Sequence, residues 1–251
     1  MKDVETERGP DVELDWSVVR PAKMNAAMMH ALLDAGLLEG RKVELYSGEL
    51  VEAEPAKLLA DVEIDPDLRR CGLHPAPVDA AMLDALIEAG TLRDKRYELI
   101  QGRLIEMSPA KNLHGKIHSA IVFRLNAMGG ERFEYGIDVA FNLDDETTVA
   151  PDFIVLPKGM SSDDANGPDA VLVVEISNST LKQDLEPKAR VYAMHGVTDY
   201  WVVDIPNRLI HVHRGPGPTG YATVVARPWS EPVTALNAPA LTLSLPEAFV
   251  P

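Results

Sequence analysis

The chain has 251 residues, of which 46% are hydrophobic and 25% are charged, as in ordinary globular proteins. Its formal net charge of −15 argues against a protein that coats nucleic acid, because phosphate binding depends on lysine and arginine. The single cysteine, Cys71, excludes a disulfide framework and a cysteine-based zinc site. No apolar run approaches the roughly 18 residues that span a bilayer, so we expect a cytoplasmic protein without a membrane segment.

Two segments in the first half of the chain repeat each other. Residues 21–56 and 75–110 align without a gap at a constant offset of 54, and 17 of the 36 aligned pairs are identical. Such a match indicates a duplication. In each copy, apolar residues at helical spacing predict a helix, and alternating residues around a polar turn predict a hairpin. The residues that mark these elements are the N-caps Asn25 and Asp79, the helix ends Gly36 and Gly90, and the turns Ser47-Gly48 and Gln101-Gly102.

The two copies lead into different kinds of sequence. After Pro109 the chain continues into a helix and a run of strands, whereas after Pro55 it passes into a polar segment. We therefore expect residues 1–74 to form an N-terminal appendage that contains the first copy. Residues 75–251 are expected to form the main domain, which begins with the second copy. Because the appendage lacks the downstream segments that carry chemistry, we expect it to serve packing, dimerisation or partner binding.

Beyond the second copy, the hydrophobic pattern predicts two helices and six strands. The first helix runs from His114 to Met128, and the second covers about 183–195, where Pro187 fits only within the first turn. Trp201 lies in an apolar run and is expected in the core. The predicted strands are 133–142, 148–156, 170–177, 199–204, 208–213 and 221–226. This order of elements predicts a mixed α/β sheet flanked by helices.

Two carboxylates in the second half of the chain are candidates for a metal site. Asp152 follows Pro151 and opens one apolar strand, and Glu175 ends another apolar run. Buried carboxylates are costly unless a metal ion or hydrogen bonds compensate their charge, and Mg²⁺ prefers oxygen ligands. On spacing alone, the alternative is that each acid caps a strand or pairs with an arginine.

A lysine on the following helix also has two interpretations. Lys188 lies one helical turn after Asp184, which is the spacing of an ordinary surface ion pair. In the functional interpretation, Lys188 points back towards Glu175 and a bound metal. There it would orient a hydrolytic water or stabilise charge that develops in a phosphoryl-transfer transition state. Position alone does not choose between the two.

Several of these segments together resemble one known family. In chain order they are RYELIQGRLIEMSP from Arg96, HG at His114, APD ending at Asp152, VLVVEISNST around Glu175, DxxxK ending at Lys188, then Tyr192, and GVTDYWVVD ending at Asp204. Their order and spacing over about 96–226 resemble the Uma-type family of restriction-endonuclease-like proteins. That family is a branch of the PD-(D/E)XK nuclease superfamily.

The resemblance implies a fold, a reaction and a set of metal ligands. The fold is a restriction-endonuclease-like mixed sheet flanked by helices, and the reaction is hydrolysis of phosphodiester bonds in DNA with Mg²⁺ or Mn²⁺. Carried over by position, Asp152 and Glu175 are the metal-binding acids. The backbone carbonyl of Ile176 is a further implied oxygen ligand.

The resemblance also implies where the catalytic lysine lies. Ser177 occupies the position of the superfamily's usual lysine, so Lys188 is the implied substitute, with Lys182 as the runner-up. Glu98 matches an early family glutamate and is a candidate outer metal ligand or orienting group. His114 matches a family position to which the sequence assigns no role.

The leading hypothesis from the sequence is a Mg²⁺-dependent endodeoxyribonuclease that forms a homodimer, and the sequence leaves open whether the chain is catalytically active. The alternative is a catalytically inactive nuclease-fold module that serves binding, regulation or self-association. The acidic net charge and the missing in-line lysine both favour this alternative. No basic stripe or recognition helix supports specific base readout.

Overall fold

A computed structural model describes residues 19–52, 74–93, 95–107 and 112–246. Pro55 and Pro109, after which the two copies diverge, lie outside these residues, and so does Cys71. The described helices are α1 (Ala26–Asp34), α2 (Ala80–Glu88), α3 (Asn112–Gly129) and α4, which comprises Leu181–Gln183, the π-helical turn Asp184–Lys188 and Ala189–Met194. Within the described ranges, no helix has both the length and the apolar character to cross a membrane.

The two N-terminal helices begin and end as their sequences predict. The Asn25 side chain accepts a hydrogen bond of 3.1 Å from the Met28 N–H, and Asp79 caps α2 in the same way. Gly36 and Gly90 follow the helix ends with φ of 73° and 69°. An L-residue with a Cβ is strained in this left-handed region, which is why glycine stops each helix.

Each of these helices is followed by a tight hairpin. The first pairs β1 (Val43–Tyr46) with β2 (Glu49–Glu52), and the second pairs β4 (Arg96–Ile100) with β5 (Arg103–Met107). Both residues of each turn have positive φ, which is typical of a type I′ turn. These values are 50° and 89° at Ser47 and Gly48, and 49° and 77° at Gln101 and Gly102.

The two helix–hairpin units share one hydrophobic core. Leu32 from α1 and Leu86 from α2 are both fully buried in the same cluster. Backbone bonds also join the first unit to β5, because the Ala22 N–H donates to the Leu104 carbonyl at 2.8 Å and the Glu106 N–H donates to the Arg20 carbonyl at 3.0 Å. The described part of the first unit therefore packs directly on the second, and a domain boundary at residue 74 remains a prediction.

A six-stranded mixed sheet forms the centre of the rest of the chain. Its strands are β6 (Phe133–Gly136), β9 (Phe153–Pro157), β10 (Leu172–Ser177), β11 (Asp199–Asp204), β12 (Leu209–Gly217) and β13 (Gly220–Pro228). Their order is β13-β12-β11-β10-β9-β6, and only β10 and β11 run parallel. The smaller strands are β3 (His74–Pro75), β7 (Phe141–Asp144), β8 (Thr147–Val149), β14 (Val233–Thr234) and β15 (Thr242–Leu243). The expected mixed α/β architecture is confirmed.

Helices cover both faces of the central sheet. One face packs against the stripe Ile117, Ile121 and Leu125 of α3. Trp201 is fully buried in the same cluster, as expected. The other face packs against α4 through Tyr192 and neighbouring apolar residues. The alternation of side chains along each strand supplies both apolar faces.

Two strands that the sequence predicts as continuous are each broken in the middle. The expected strand 133–142 splits into β6 and β7 around residues 137–140, and 148–156 splits into β8 and β9 around residues 150–152. In both cases one part joins the six-stranded sheet and the other joins a second sheet of order β5-β4-β8-β7. The hydrophobic periodicity of the sequence does not reveal this change of sheet, because both halves of each predicted strand keep an apolar face. The two crossovers lie side by side, with the Asp138 N–H 3.2 Å from the Pro151 carbonyl.

Pro187 lies well inside α4 rather than in its first turn, so that expectation is wrong. It sits in the π-helical turn Asp184–Lys188. Proline has no N–H to donate, and in a regular α-helix its ring clashes with the carbonyl four residues earlier. A wider π-helical turn accommodates both defects, and such turns occur often at functional sites.

We predict that the shared core of the two units stabilises the whole fold. Leu32→Ala should lower the free energy of unfolding by about 2–5 kcal/mol, since it leaves a cavity at a fully buried site. Leu33→Ala is the matched control, because Leu33 is 49% exposed and its truncation should change stability by less than about 0.5 kcal/mol. Urea unfolding followed by circular dichroism measures both, and equal stabilities of the two variants would contradict the shared core.

Candidate active site

The strand register brings the two candidate acids to the same edge of the central sheet. Antiparallel β9 and β10 end their pairing at Phe153 and Val174, and the next residue of each segment is one of the two acids, Asp152 and Glu175. The Ile176 N–H donates to Asp152 Oδ2 at 2.6 Å, which fixes the Asp152 carboxylate beside the Glu175–Ile176 peptide.

Two histidines of α3 hold the segment that carries Asp152. His114 Nε2 lies 3.3 Å from Asp152 Oδ2, and His118 Nε2 lies 2.9 Å from the Asp152 backbone carbonyl. Burial acts to raise the pKa of the Asp152 carboxyl, but the bonds from His114 and the Ile176 N–H outweigh it and hold that pKa below its usual value. Asp152 is therefore an anion at neutral pH, and His114 gains a role that the sequence did not assign.

Lys188 is fully buried and lies between two carboxylates. Its Nζ is 2.6 Å from Glu175 Oε1 and 2.8 Å from Glu98 Oε1. Burial acts to lower the pKa of Lys188, but the negative charges of Glu175 and Glu98 raise it above its usual value. The ammonium group is therefore charged, and its position excludes an ordinary surface ion pair with Asp184.

Glu98 connects this cluster to the second sheet. Besides Lys188, its Oε1 accepts a hydrogen bond of 2.9 Å from the Ala150 N–H, two residues before Asp152. Glu98 is 1% exposed, whereas its repeat partner Glu44 is exposed on β1. Of these two glutamates, which align in the sequence, Glu98 contributes to the cluster and Glu44 does not.

Glu175 is 4% exposed and accepts from two side chains on the same oxygen. Tyr192 donates to its Oε1 at 2.9 Å, alongside Lys188. Burial raises the pKa of the Glu175 carboxyl well above its usual value, and the neighbouring carboxylates add to the rise although Lys188 opposes it. Tyr192 lies four residues after Lys188 and so on the same helical face, which is the sequence signal that could have identified it.

Ser177, two residues after Glu175, organises the start of α4. Its hydroxyl donates to Asp184 Oδ2 at 2.6 Å, and the Thr180 hydroxyl donates to the same oxygen at 2.8 Å. Asp184 is 4% exposed, and burial raises the pKa of its carboxyl to about 6. These bonds tie the end of β10 to the helix that carries Lys188.

The runner-up lysine does not reach the cluster. The Lys182 side chain is 57% exposed, and its Nζ lies 3.8 Å from Glu186, one turn further along α4. The structure therefore brings together Glu98, Asp152, Glu175 and Lys188 and leaves Lys182 at the surface. Of the two candidate lysines, Lys188 lies in the cluster, and its catalytic role stays a prediction.

The donor set suits a divalent cation. Within the described part of the chain, Lys188 is the one lysine among the four buried acids Glu98, Asp152, Glu175 and Asp184. The contacts described above engage one oxygen of each of the first three carboxylates, and Glu98 Oε2 is buried without a hydrogen-bond partner. The second oxygen of each carboxylate is therefore available to a cation. Carboxylate oxygens are the ligands that Mg²⁺ and Mn²⁺ favour.

Comparisons with known proteins bear on the family of the chain. A family model described as "Uma2: Putative restriction endonuclease" matches residues 83–246, which include every residue of the cluster. Among solved structures, the chain is similar to a "putative nuclease belonging to DUF820" from Anabaena variabilis ATCC 29413, with 16% identity and a TM-score of 0.49. The match covers 60% of this chain and 88% of the other. No curated protein matches the chain.

The family match spans well over half of the chain and begins within α2. It therefore covers the second repeat copy from residue 83 onwards, the crossover segments and the central sheet. The first copy lies outside it. The chain belongs to the Uma2 family of restriction-endonuclease-like proteins.

Proposed function

We propose that the protein is a metal-dependent endonuclease that hydrolyses phosphodiester bonds in DNA, built on a restriction-endonuclease-like fold. The observation that carries the proposal is the contact of 2.6 Å between Lys188 Nζ and Glu175 Oε1, next to the anionic Asp152. It supports Lys188, on α4, as the substitute for the superfamily's usual lysine, whose position in the sequence Ser177 occupies. Membership of the Uma2 family supports DNA as the substrate.

The metal in this proposal is Mg²⁺ or Mn²⁺. Asp152, Glu175 and the backbone carbonyl of Ile176 would hold it. When bound, the ion would supply positive charge to a phosphate oxygen and to an attacking water. It would also offset the buried negative charge that raises the pKa of Glu175.

The raised pKa of Lys188 excludes one catalytic role for its side chain. An ammonium whose pKa is raised by Glu175 and Glu98 does not release its proton near neutral pH, so Lys188 is not a general base. As a fixed cation it can donate hydrogen bonds to a water and stabilise negative charge that develops on a phosphate. We assign Lys188 to these two roles.

Two further side chains act as positioning residues. Glu98 binds Lys188 and the Ala150 N–H through one oxygen, so it holds the ammonium against the Pro151-Asp152 segment. Tyr192 donates to Glu175 and fixes its carboxylate. Since all these groups are buried, their rotamers are set before substrate arrives, and such preorganisation favours the transition state.

A net charge of −15 limits how this protein can hold DNA. Long-range attraction to phosphate is absent, so binding must rest on the bound metal and on local contacts. A homodimer, which would double those contacts, is part of the proposal, as is an appendage role for the first repeat copy. The acidic charge also favours the alternative of an inactive binding or regulatory module, which would bind no Mn²⁺ at Asp152 and Glu175 in a calorimetric titration.

We predict that removing either metal-binding acid abolishes cleavage. Asp152→Asn and Glu175→Gln should each lower Mn²⁺-supported nicking of plasmid DNA by at least about 10²-fold, because each leaves one anionic ligand for the ion. Asp163→Asn is the matched control, since Asp163 lies exposed in a surface loop. Retained nicking in both site variants, with wild-type circular dichroism spectra, would contradict the assignment.

We predict that the two lysines of α4 differ sharply. Lys188→Met should abolish nicking and lower the free energy of unfolding by about 3–5 kcal/mol, because it leaves Glu98 and Glu175 buried without their cation. Lys182→Met, at an exposed position of the same helix, should change neither quantity appreciably. Adding Glu98→Gln to Lys188→Met separates the two effects, since it removes one of the two unpaired charges and should recover part of the stability without recovering nicking. Recovery of nicking in that double variant would reduce Lys188 to a structural role.

A further inference from the structure

We propose that His118, Asp138 and Asp152 form a second divalent-metal site, which favours a transition metal over Mg²⁺ and shares Asp152 with the catalytic site. The inference rests on the proposed function only in the role that it gives to the shared Asp152. Neither His118 nor Asp138 belongs to the cluster around Lys188, and the catalytic proposal does not use them.

The geometry of three donor groups carries the proposal. One ligand atom from each of His118, Asp138 and Asp152 lies within 4.8 Å of the other two. Metal–ligand bonds to nitrogen and carboxylate oxygen are about 2.0–2.2 Å long, so two donors on one ion lie at most about 4.4 Å apart. Small side-chain rotations therefore suffice to bring these three donors onto a common ion. They come from three separate parts of the chain, namely α3 and the two crossovers between the sheets.

The contacts around Asp138 and Asp152 leave one oxygen of each carboxylate available to bind a metal ion. Arg96 Nη2 binds Asp138 Oδ1 at 2.7 Å, and His114 binds Asp152 Oδ2 at 3.3 Å. These contacts orient the two carboxylates, and each carboxylate keeps a second oxygen. Supporting bonds of this kind are the usual outer partners of metal-binding carboxylates. His118 Nε2 donates to the Asp152 carbonyl at 2.9 Å, so a metal ion would either bind His118 through Nδ1 or replace this hydrogen bond at Nε2.

The chemistry of the donors distinguishes this site from the catalytic one. An imidazole nitrogen with two carboxylates suits first-row transition ions, whereas Mg²⁺ prefers oxygen ligands alone. Asp152 and Glu175 offer only oxygen. We therefore expect excess Mg²⁺ to compete well at the catalytic site and poorly at the histidine site.

The position of the site gives it an open side. The Asp138 side chain is 38% exposed and His118 is half-buried, in contrast to the enclosed Glu175. His118 also lines a groove of about 570 Å³ between α3 and Ile137, where Phe123 is 75% exposed. Water or a phosphate oxygen from a strand in this groove could complete the coordination, as is common at sites with few protein ligands.

Mn²⁺ is the probe that separates the two sites. Calorimetry on the full chain should give two Mn²⁺ ions per chain, falling to one in His118→Asn and to one in Glu175→Gln. Electron-spin-echo spectroscopy of bound Mn²⁺ should show ¹⁴N modulation from imidazole in the wild type and in Glu175→Gln, and none in His118→Asn. His211→Asn is the matched control, because His211 lies on β12 and pairs with Asp204.

A second variant, Asp138→Asn, tests the same site if His118→Asn fails to fold. Asp138→Asn keeps His118 and should weaken the ¹⁴N-coupled Mn²⁺ by at least about tenfold in dissociation constant. Modulation that persists in His118→Asn, or its absence from the wild type, overturns the inference. If Glu175→Gln leaves the Mn²⁺ count unchanged while His118→Asn loses the modulation, the proposed catalytic site fails and the histidine site stands.

Discussion

The buried ammonium of Lys188 is the constraint on which the rest of the site depends. A lysine with no exposed surface is stable only if carboxylates compensate its charge, and here Glu98 and Glu175 do so at 2.8 and 2.6 Å. These two acids lie on β4 and β10, in different sheets, and the lysine lies on α4. The three elements must therefore meet at one point. Ser177 and Thr180 strengthen the same junction by holding the start of α4 through Asp184.

The change of sheet at residues 150–152 explains how Asp152 joins this junction. A strand that ran straight from β8 to β9 would keep its residues in one ladder. The break frees the Pro151-Asp152 segment from regular pairing, and its carboxylate turns to the Ile176 N–H and His114. The parallel break around Asp138 lies against it through the Pro151 carbonyl. Both the catalytic proposal and the histidine site thus depend on the paired crossovers.

Local patterns predicted the elements well, and they failed where distant parts of the chain meet. The caps at Asn25 and Asp79 and the glycine stops follow from short-range hydrogen bonding and left-handed φ, so the sequence shows them directly. Asp152 lies directly before β9, as its apolar run predicted, whereas Glu175 lies inside β10 rather than at its end. The ion pair between Glu98 and Lys188 spans 90 residues and follows from no periodicity. His118 was missed, although it lies one turn after His114 on α3.

The central claim is that Asp152 and Glu175 bind a catalytic metal beside the Lys188 ammonium. Anomalous diffraction from crystals of the full chain soaked in Mn²⁺ tests it most directly, because the signal locates the ion independently of activity. We predict an anomalous peak in contact with both Asp152 and Glu175, with Lys188 Nζ still bound to Glu98 and Glu175. Ordered, unliganded carboxylates at saturating Mn²⁺, with no peak between Asp152 and Glu175, would contradict it.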